Sequence, residues 1–317
     1  MKKLLSRLVL ACAVMSVPSF ATTYPMPENG RVIGTLSYYT VIQGESMADI
    51  AERHNIGFLA LMAANPGLDP FLPDGGTELT IPTQSILPDA PHQGIVINLA
   101  ELRLYSFHRD GSAVDVFPIG IGRIGRDTPE MSTKISQKRE NPTWTPTKNT
   151  HIEYREKGIE LPRVVPAGPD NPLGLYAMRL SYGSGEYLIH GTNKEFGIGM
   201  RVSAGCIRLY PDDIEYLFSK SQLGDKVTIV NQPIKYAVQP NGEFVMEVHE
   251  PLNRTEEEVH EATALKLDRS ALKFVVQDGV ESKKVAQLLK NQNGLVQSIG
   301  RQVEIEANEN AQVTIVQ

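Results

Sequence analysis

The chain has 317 residues, is 41% hydrophobic and carries a formal net charge of −6. That length exceeds the ~100–200 residues of one ordinary domain, so two or three units are expected, and the hydrophobic content excludes a disordered chain. The acidic balance leaves no electrostatic footprint for nucleic acid, and no basic run is present to hold an anionic membrane surface. Met1–Arg7 is basic, Leu8–Val17 is apolar, and Ser19-Phe20-Ala21 forms a small-x-small cleavage site. This is the layout of a secretory signal peptide over residues 1–21, and a periplasmic mature protein is expected. Val9-Leu10-Ala11-Cys12 loosely matches a lipoprotein cleavage box, but the apolar run continues to Val17, which favours the ordinary leader. No later stretch of ~20 apolar residues suggests a membrane span. Leader removal leaves 28 basic and 37 acidic residues and takes Cys12 away, so Cys206 is the only remaining thiol. In an oxidising compartment it has no internal disulfide partner.

Residues 22–37 carry Pro and Gly and read as a linker. Within residues 38–83, Tyr39-Thr40-Val41 alternates like a strand, and Gly44-Glu45-Ser46 offers a turn and a helix cap. Met47, Ile50, Ala51 and His54 recur at helical spacing. A second helix runs through Leu59, Leu61, Met62 and Ala63 to a stop at Asn65-Pro66-Gly67, and Leu79–Pro82 closes as a strand. This βααβ unit resembles the LysM module through Tyr39-x-Val41, Gly44-Glu45-Ser46, Ile50-Ala51, Asn65-Pro66, Gly76 and Leu79-x-Ile81-Pro82. Glu45 and Met47 replace the family's frequent Asp and Leu. The resemblance implies binding to peptidoglycan glycan strands.

Thr83–His92, with Pro88 and Pro91, reads as a semi-rigid connector. Strand-like runs follow at Gly94–Leu99, Leu102–Phe107 and Val114–Ile119, with Glu101 in a hairpin turn, and later at Glu186–Ile189 and Val227–Val230. Asn141–Pro146 and Leu161–Pro172 read as long, functional loops. Strands with few helices predict a mainly β domain over residues 93–231. Residues 232–317 change character: Thr255–Val276 and Glu281–Lys290 suggest helices, and Gln302–Val316 alternates weakly as a strand. With 9 basic against 13 acidic residues, this α/β extension carries no motif and remains open as an appended domain, a lid or a partner-binding arm.

The segment carrying chemistry is Ile189-His190-Gly191-Thr192-Asn193, then Gly197, Gly199 and Arg201, then Ser203-Ala204-Gly205-Cys206-Ile207-Arg208-Leu209. A thiol attacks a carbonyl as thiolate, and an unperturbed pKa of ~8.5 leaves little of it at neutral pH. A histidine within hydrogen-bond reach removes the proton and returns one to the leaving amine. Gly205 lets the backbone turn closely so that main-chain N–H groups face an oxyanion. Arg208, two residues on, points to the side of Cys206 if the piece is extended. A zinc site is disfavoured, because one Cys and one nearby His supply two ligands where about four are wanted. The Gly191 carbonyl is a candidate to orient His190.

This combination resembles the catalytic motif of the L,D-transpeptidases of YkuD fold: His-Gly-Thr, a spacer, then Ser/Thr-x-Gly-Cys-x-Arg. Similarity extends over most of residues 93–231, including Asn171-Pro172-Leu173-Gly174. With the LysM module in front, the order resembles the subgroup that attaches the abundant outer-membrane lipoprotein to peptidoglycan. The resemblance implies Cys206 as nucleophile, His190 as base and acid, and Gly205, Ser203, Arg208 and Gly191 as the oxyanion and supporting shell, with no cofactor. It implies a thioester with the peptidoglycan stem tetrapeptide, loss of D-alanine, and capture by the lipoprotein's lysine amine. Another stem peptide as acceptor gives 3–3 cross-links, and water gives a carboxypeptidase. Carbapenem acylation of the thiol is also implied. Many members carry a second histidine where this chain has Ala204, the one feature favouring a non-catalytic wall-binding protein.

Overall fold

The computed structural model describes residues 21–253 and 265–302. The leader expected over residues 1–21 lies outside that range apart from Ala21, and so does most of the strand expected over Gln302–Val316.

The first unit is the expected βααβ module. Strands Ser37–Thr40 and Glu78–Ile81 pair antiparallel around helices Met47–Arg53 and Phe58–Ala64. Ser46 caps the first helix through a reciprocal box with Asp49, satisfying amides that the helix cannot. Asn65 ends the second helix, and its side chain bonds the Leu61 carbonyl and both the amide and carbonyl of Thr80. Val41, Met47, Ile50, Leu61, Leu79 and Ile81 fill a small core of their own.

The catalytic-domain region is built on a nine-stranded sheet. Its order is Thr22–Pro25, Ala113–Pro118, Arg103–Phe107, Ile95–Asn98, Lys226–Val230, Met131–Glu140, Tyr176–Leu180, Leu188–His190, Ile207–Arg208. The central strands are hydrophobic on both faces, as strands covered on both sides are. One face carries the main core of Ile97, Leu104, Phe117, Met178, Ile189, Ile207 and the helix Pro211–Lys220. The other packs Val96, Tyr105, Phe107 and Val114 on Ile33 and Leu87.

Two corrections follow. Residues 22–37 are not a free tether, because Thr22–Pro25 extends the sheet and Thr23 Oγ1 donates to Asp115 at 2.6 Å. Its short alternation hides one polar and one aromatic anchor, Thr23 and Tyr24. The connector at Thr83–His92 is likewise pinned, since Ser85–Ile86 pairs with Val32–Ile33 and Ile86 and Leu87 are fully buried.

The tail forms a small domain: strands Ile234–Val238, Glu243–Val248 and Gln297–Arg301 covered by helices Arg269–Val275 and Ser282–Asn291. It joins the rest through a buried ionic cluster. Lys235 meets Glu101 at 2.7 Å and Glu247 at 2.9 Å, while Arg103 bonds both carboxylates and His249 meets Glu247 at 2.7 Å. Glu101 lies in the connection of the Ile95–Asn98 and Arg103–Phe107 hairpin, as expected, and is buried there as an ion-pair partner.

Candidate active site

The two arms of the motif become adjacent parallel strands at the edge of the sheet. Leu188–His190 pairs with Ile207–Arg208 in the register Ile189↔Ile207 and His190↔Arg208. The buried Ile189 and Ile207 anchor both strands in the core, so the polar neighbours His190 and Arg208 share the opposite face. Arg208 is also clamped to the chain at Gly120 by a reciprocal pair of backbone bonds, 2.8 and 2.9 Å.

Cys206 sits in the turn that enters the second strand. Gly205 before it has φ +110°, and a Cβ there would lie 3.2 Å from the Tyr187 ring, so both backbone and space require glycine. Ser203 closes the turn: its hydroxyl donates to the Cys206 carbonyl at 2.5 Å and accepts from the Gly205 amide at 3.1 Å. The Gly205 amide is therefore engaged inside the turn and does not face an oxyanion. Thr128 Oγ1 braces the same turn by donating to the Gly205 carbonyl at 2.9 Å while accepting from the Gly122 amide. Ala204 is exposed, so a larger side chain at that position would face solvent.

His190 is 3% exposed, and its Nδ1 lies 2.6 Å from the Gly191 carbonyl. Only a protonated Nδ1 makes that bond, which leaves Nε2 with its lone pair. Burial, then the Arg208 charge, push the imidazole down to about 3 against the pull of the Gly191 and Leu173 carbonyls. The ring is neutral at any ordinary pH. Burial pushes the Cys206 thiol up, opposed by the Leu188 backbone and by Arg208. The thiol donates to the Glu186 carbonyl at 3.5 Å, and among the described residues no hydrogen bond joins it to His190. The pair at rest is a neutral thiol and a neutral imidazole. Arg208 makes no ion pair among the described residues, and its buried Nε has no partner.

The segment from Asn141 to Leu175, the flap, connects the strands Met131–Glu140 and Tyr176–Leu180. It contains the helix Lys148–Glu156, none of whose residues is buried. Asn171, fully buried, pins the flap's base by donating to the carbonyls of Pro142 and Pro166 and accepting from the Leu173 amide. Gly174, at φ +66°, then passes so close to Gly191 and Thr192 that a Cβ would meet the Thr192 amide at 2.9 Å. Glu153 ties the flap helix to Arg123 and Arg126 at 2.6 and 2.5 Å. The sequence drew attention to Asn171–Gly174 but not to Glu186, Thr128 or Glu153. Glu186 acts through a main-chain carbonyl, to which residue type is blind. Thr128 lies in a loop and Glu153 on a helix with no buried face, and only their contacts distinguish them.

The chain belongs to the L,D-transpeptidases, enzymes acting on peptidoglycan peptides. Residues 92–229 match the L,D-transpeptidase catalytic domain, residues 233–297 the L,D-transpeptidase C-terminal domain, and residues 39–82 the LysM domain. Among curated Escherichia coli K12 proteins, it is 54% identical over 247 residues to the probable L,D-transpeptidase YcfS, covering 77% of each chain. It is 46% identical over 281 residues to the probable L,D-transpeptidase YbiS, covering 87% of this chain and 91% of that one. The C-terminal match makes residues 233–297 a domain shared with the family.

Proposed function

We propose that this enzyme, exported to the periplasm by its leader, transfers peptidoglycan stem peptides to the lysine amine of an outer-membrane lipoprotein. His190 Nε2 takes the Cys206 proton, and Sγ attacks the carbonyl of the diamino acid at the third stem position. The tetrahedral oxyanion collapses with rupture of the bond to the terminal D-alanine, whose amine receives the proton from His190. The thioester is then attacked by the acceptor amine, which gives a proton to His190. The amide forms, the C–S bond breaks, and the proton returns to sulfur. With the Gly205 amide engaged, the Cys206 amide is the nearest main-chain donor for the oxyanion.

The observation that carries the catalytic part is the Nδ1–Gly191 bond, which fixes the tautomer with Nε2 free beside a strand bearing Arg208. The acceptor assignment rests on the order of LysM and catalytic units. Incubation with sacculi and a lysine-terminated lipoprotein tests it, and lipoprotein-bound muropeptides are expected. If only 3–3 cross-linked muropeptides or trimmed tripeptides form, the acceptor assignment is refuted. Intact mass after carbapenem treatment tests the thiol: one adduct is expected on the wild type and none on Cys206→Ala.

A further inference from the structure

The spacer between His190 and Cys206 is built against the LysM module. Gly57, which opens the module's second helix, approaches Gly199 of the spacer so closely that a Cβ on Gly199 would stand 2.3 Å from the Gly57 Cα. Gly199 also has φ +75°, so both space and backbone require glycine there. Gly57 has no side chain to cap its helix, and the Leu59 amide donates instead to the Gly199 carbonyl at 3.4 Å. Phe58 is 8% exposed, its ring centroid lies 5.8 Å from that of Phe196 in the spacer, and Met200 packs on the module's core. The chain enters and leaves the module through a paired couple of strands, Val32–Ile33 with Ser85–Ile86, so the module is held at this contact rather than hung from a tether.

The contact bears on the thiol because the Cys206 turn stands outside the nine-stranded sheet. Arg201–Ser203, which leads into the turn, forms only a two-stranded parallel pair with Ile121–Gly122. The docked residues begin that pair: the Gly199 amide donates to the Ile119 carbonyl at 3.1 Å, and the Ile121 amide to the Met200 carbonyl at 3.0 Å. Gly120, between them, exchanges two backbone bonds with Arg208. Gly122 donates to Thr128, whose hydroxyl braces the Gly205 carbonyl, and Ser203 closes the turn on the Cys206 carbonyl. A displacement at Gly199 thus reaches Arg208 and both sides of the Cys206 turn through main-chain bonds and two buried hydroxyls. The resting thiol lies on the Glu186 carbonyl and not on His190, so transfer depends on where this turn sets Sγ. A misplacement of about 1 Å, even from a change far from the chemistry, can cost about 10²-fold in rate.

We propose that the LysM module is a working part of the active site: the Gly57–Leu59 end of its second helix sets the position of the Cys206 turn, and Gly57 and Phe58 are positioning residues for the transfer reaction. The proposal rests on the Cys206–His190 reading above. A module that only held the enzyme to its polymer would leave the rate on a substrate without glycan untouched. A positioning module sets that rate too.

The test measures single-turnover D-alanine release from a glycan-free stem tetrapeptide by the full-length protein. Two variants act from the module's side. Phe58→Ala removes the ring that faces Phe196. Gly57→Leu drives a side chain at the spacer, since a Cβ on Gly57 would already lie 3.1 Å from the Gly199 Cα, and its φ of −71° suits any residue. Each should lower the maximal rate about tenfold with the half-saturating tetrapeptide concentration within about twofold, the pattern of an arrangement needed only in the transition state. Phe58→Leu, which keeps the core filled, should recover more than half of the lost rate. Hydrogen exchange in Gly120–Arg123 and Gly199–Cys206 should quicken in both disruptive variants. Gly57→Leu removes no core side chain, so it decides the matter if Phe58→Ala fails to fold. A maximal rate within about twofold of wild type in Gly57→Leu overturns the positioning role, as does a loss confined to the half-saturating concentration. D-alanine release by Cys206→Ala at the wild-type rate overturns the nucleophile reading, and this proposal with it.

Discussion

Lys235→Met tests how the C-terminal domain is held. Lys235 is 3% exposed and sits between Glu101 and Glu247, with Ser85 Oγ at 3.0 Å. Two carboxylates face Lys235 and Arg103, together with His249. Removing Lys235 leaves two buried carboxylates with one guanidinium, and breaking a buried pair in this way costs about 3–5 kcal/mol. At about 1.4 kcal/mol per decade, amide exchange in Ile234–Val238 and Glu243–Val248 should accelerate about 10²- to 4 × 10³-fold at pH 7. Burial alone would raise the Glu247 pKa; Lys235, then His249 and Arg103, overcome it and hold the carboxyl well below the usual range. Its stabilisation is therefore present above the unfolded value of ~4.3 and is lost as pH falls, so the gap between variant and wild type should shrink in acid. Adding Glu247→Gln removes one orphaned charge and should restore more than half of the loss. Acceleration below about fivefold at pH 7, or a gap independent of pH, refutes the electrostatic account of this junction.

Burial lifts the Asp213 carboxyl to about 8, so it is neutral in the native state at pH 7 but ionised when unfolded. The native state holds the extra proton between about pH 4 and 8, and stability falls as pH rises through that window. Asp213→Asn should therefore raise the thermal midpoint most at pH 8, by the equivalent of about 2 kcal/mol, and not at pH 4. Glu153→Ala frees the flap helix from Arg123 and Arg126. Because those pairs are partly exposed, stability should change by less than about 1 kcal/mol, while the donor KM rises several-fold in steady-state assays. With the imidazole near 3 and the thiol raised, alkylation of Cys206 should climb steadily from about pH 6 to 9. A plateau centred near 6.5 would show instead that His190 titrates normally.

The LysM module was legible because its signals are local: a capping box at Ser46–Asp49, helical spacing at Met47 and Ile50, and a helix stop at Asn65. His190 and Cys206 were legible because their residue types and spacing are confined to 17 consecutive positions. What escaped was non-local. Thr22–Pro25 becomes a strand only through Ala113–Pro118, about 90 residues away, and Glu101 becomes an ion-pair residue only when Lys235 and Glu247 arrive. The helix Lys148–Glu156 buries none of its residues, so it has no apolar face for periodicity to detect. The strands Ile234–Val238 and Glu243–Val248 are masked by the charged helical segments that follow, although they supply Phe244, Met246 and Val248 to the tail's core.

Arg208 acts on both partners of the proton transfer, and in opposite directions. Its charge favours the Cys206 thiolate and disfavours the His190 imidazolium. Moving the proton from sulfur to nitrogen therefore gains at one end what it loses at the other, and the free enzyme rests as a neutral pair with the thiol turned to the Glu186 carbonyl. A bound anionic group changes that balance. A stem-peptide carboxylate against the unpaired guanidinium would cancel the potential that suppresses the imidazolium, while the excluded water strengthens the thiolate–imidazolium attraction. Reactivity is then tied to occupancy by a substrate of the right charge, which protects the thiol from oxidation between turnovers. This logic needs His190, Cys206 and Arg208 but no second imidazole, and it is compatible with an exposed alanine at position 204.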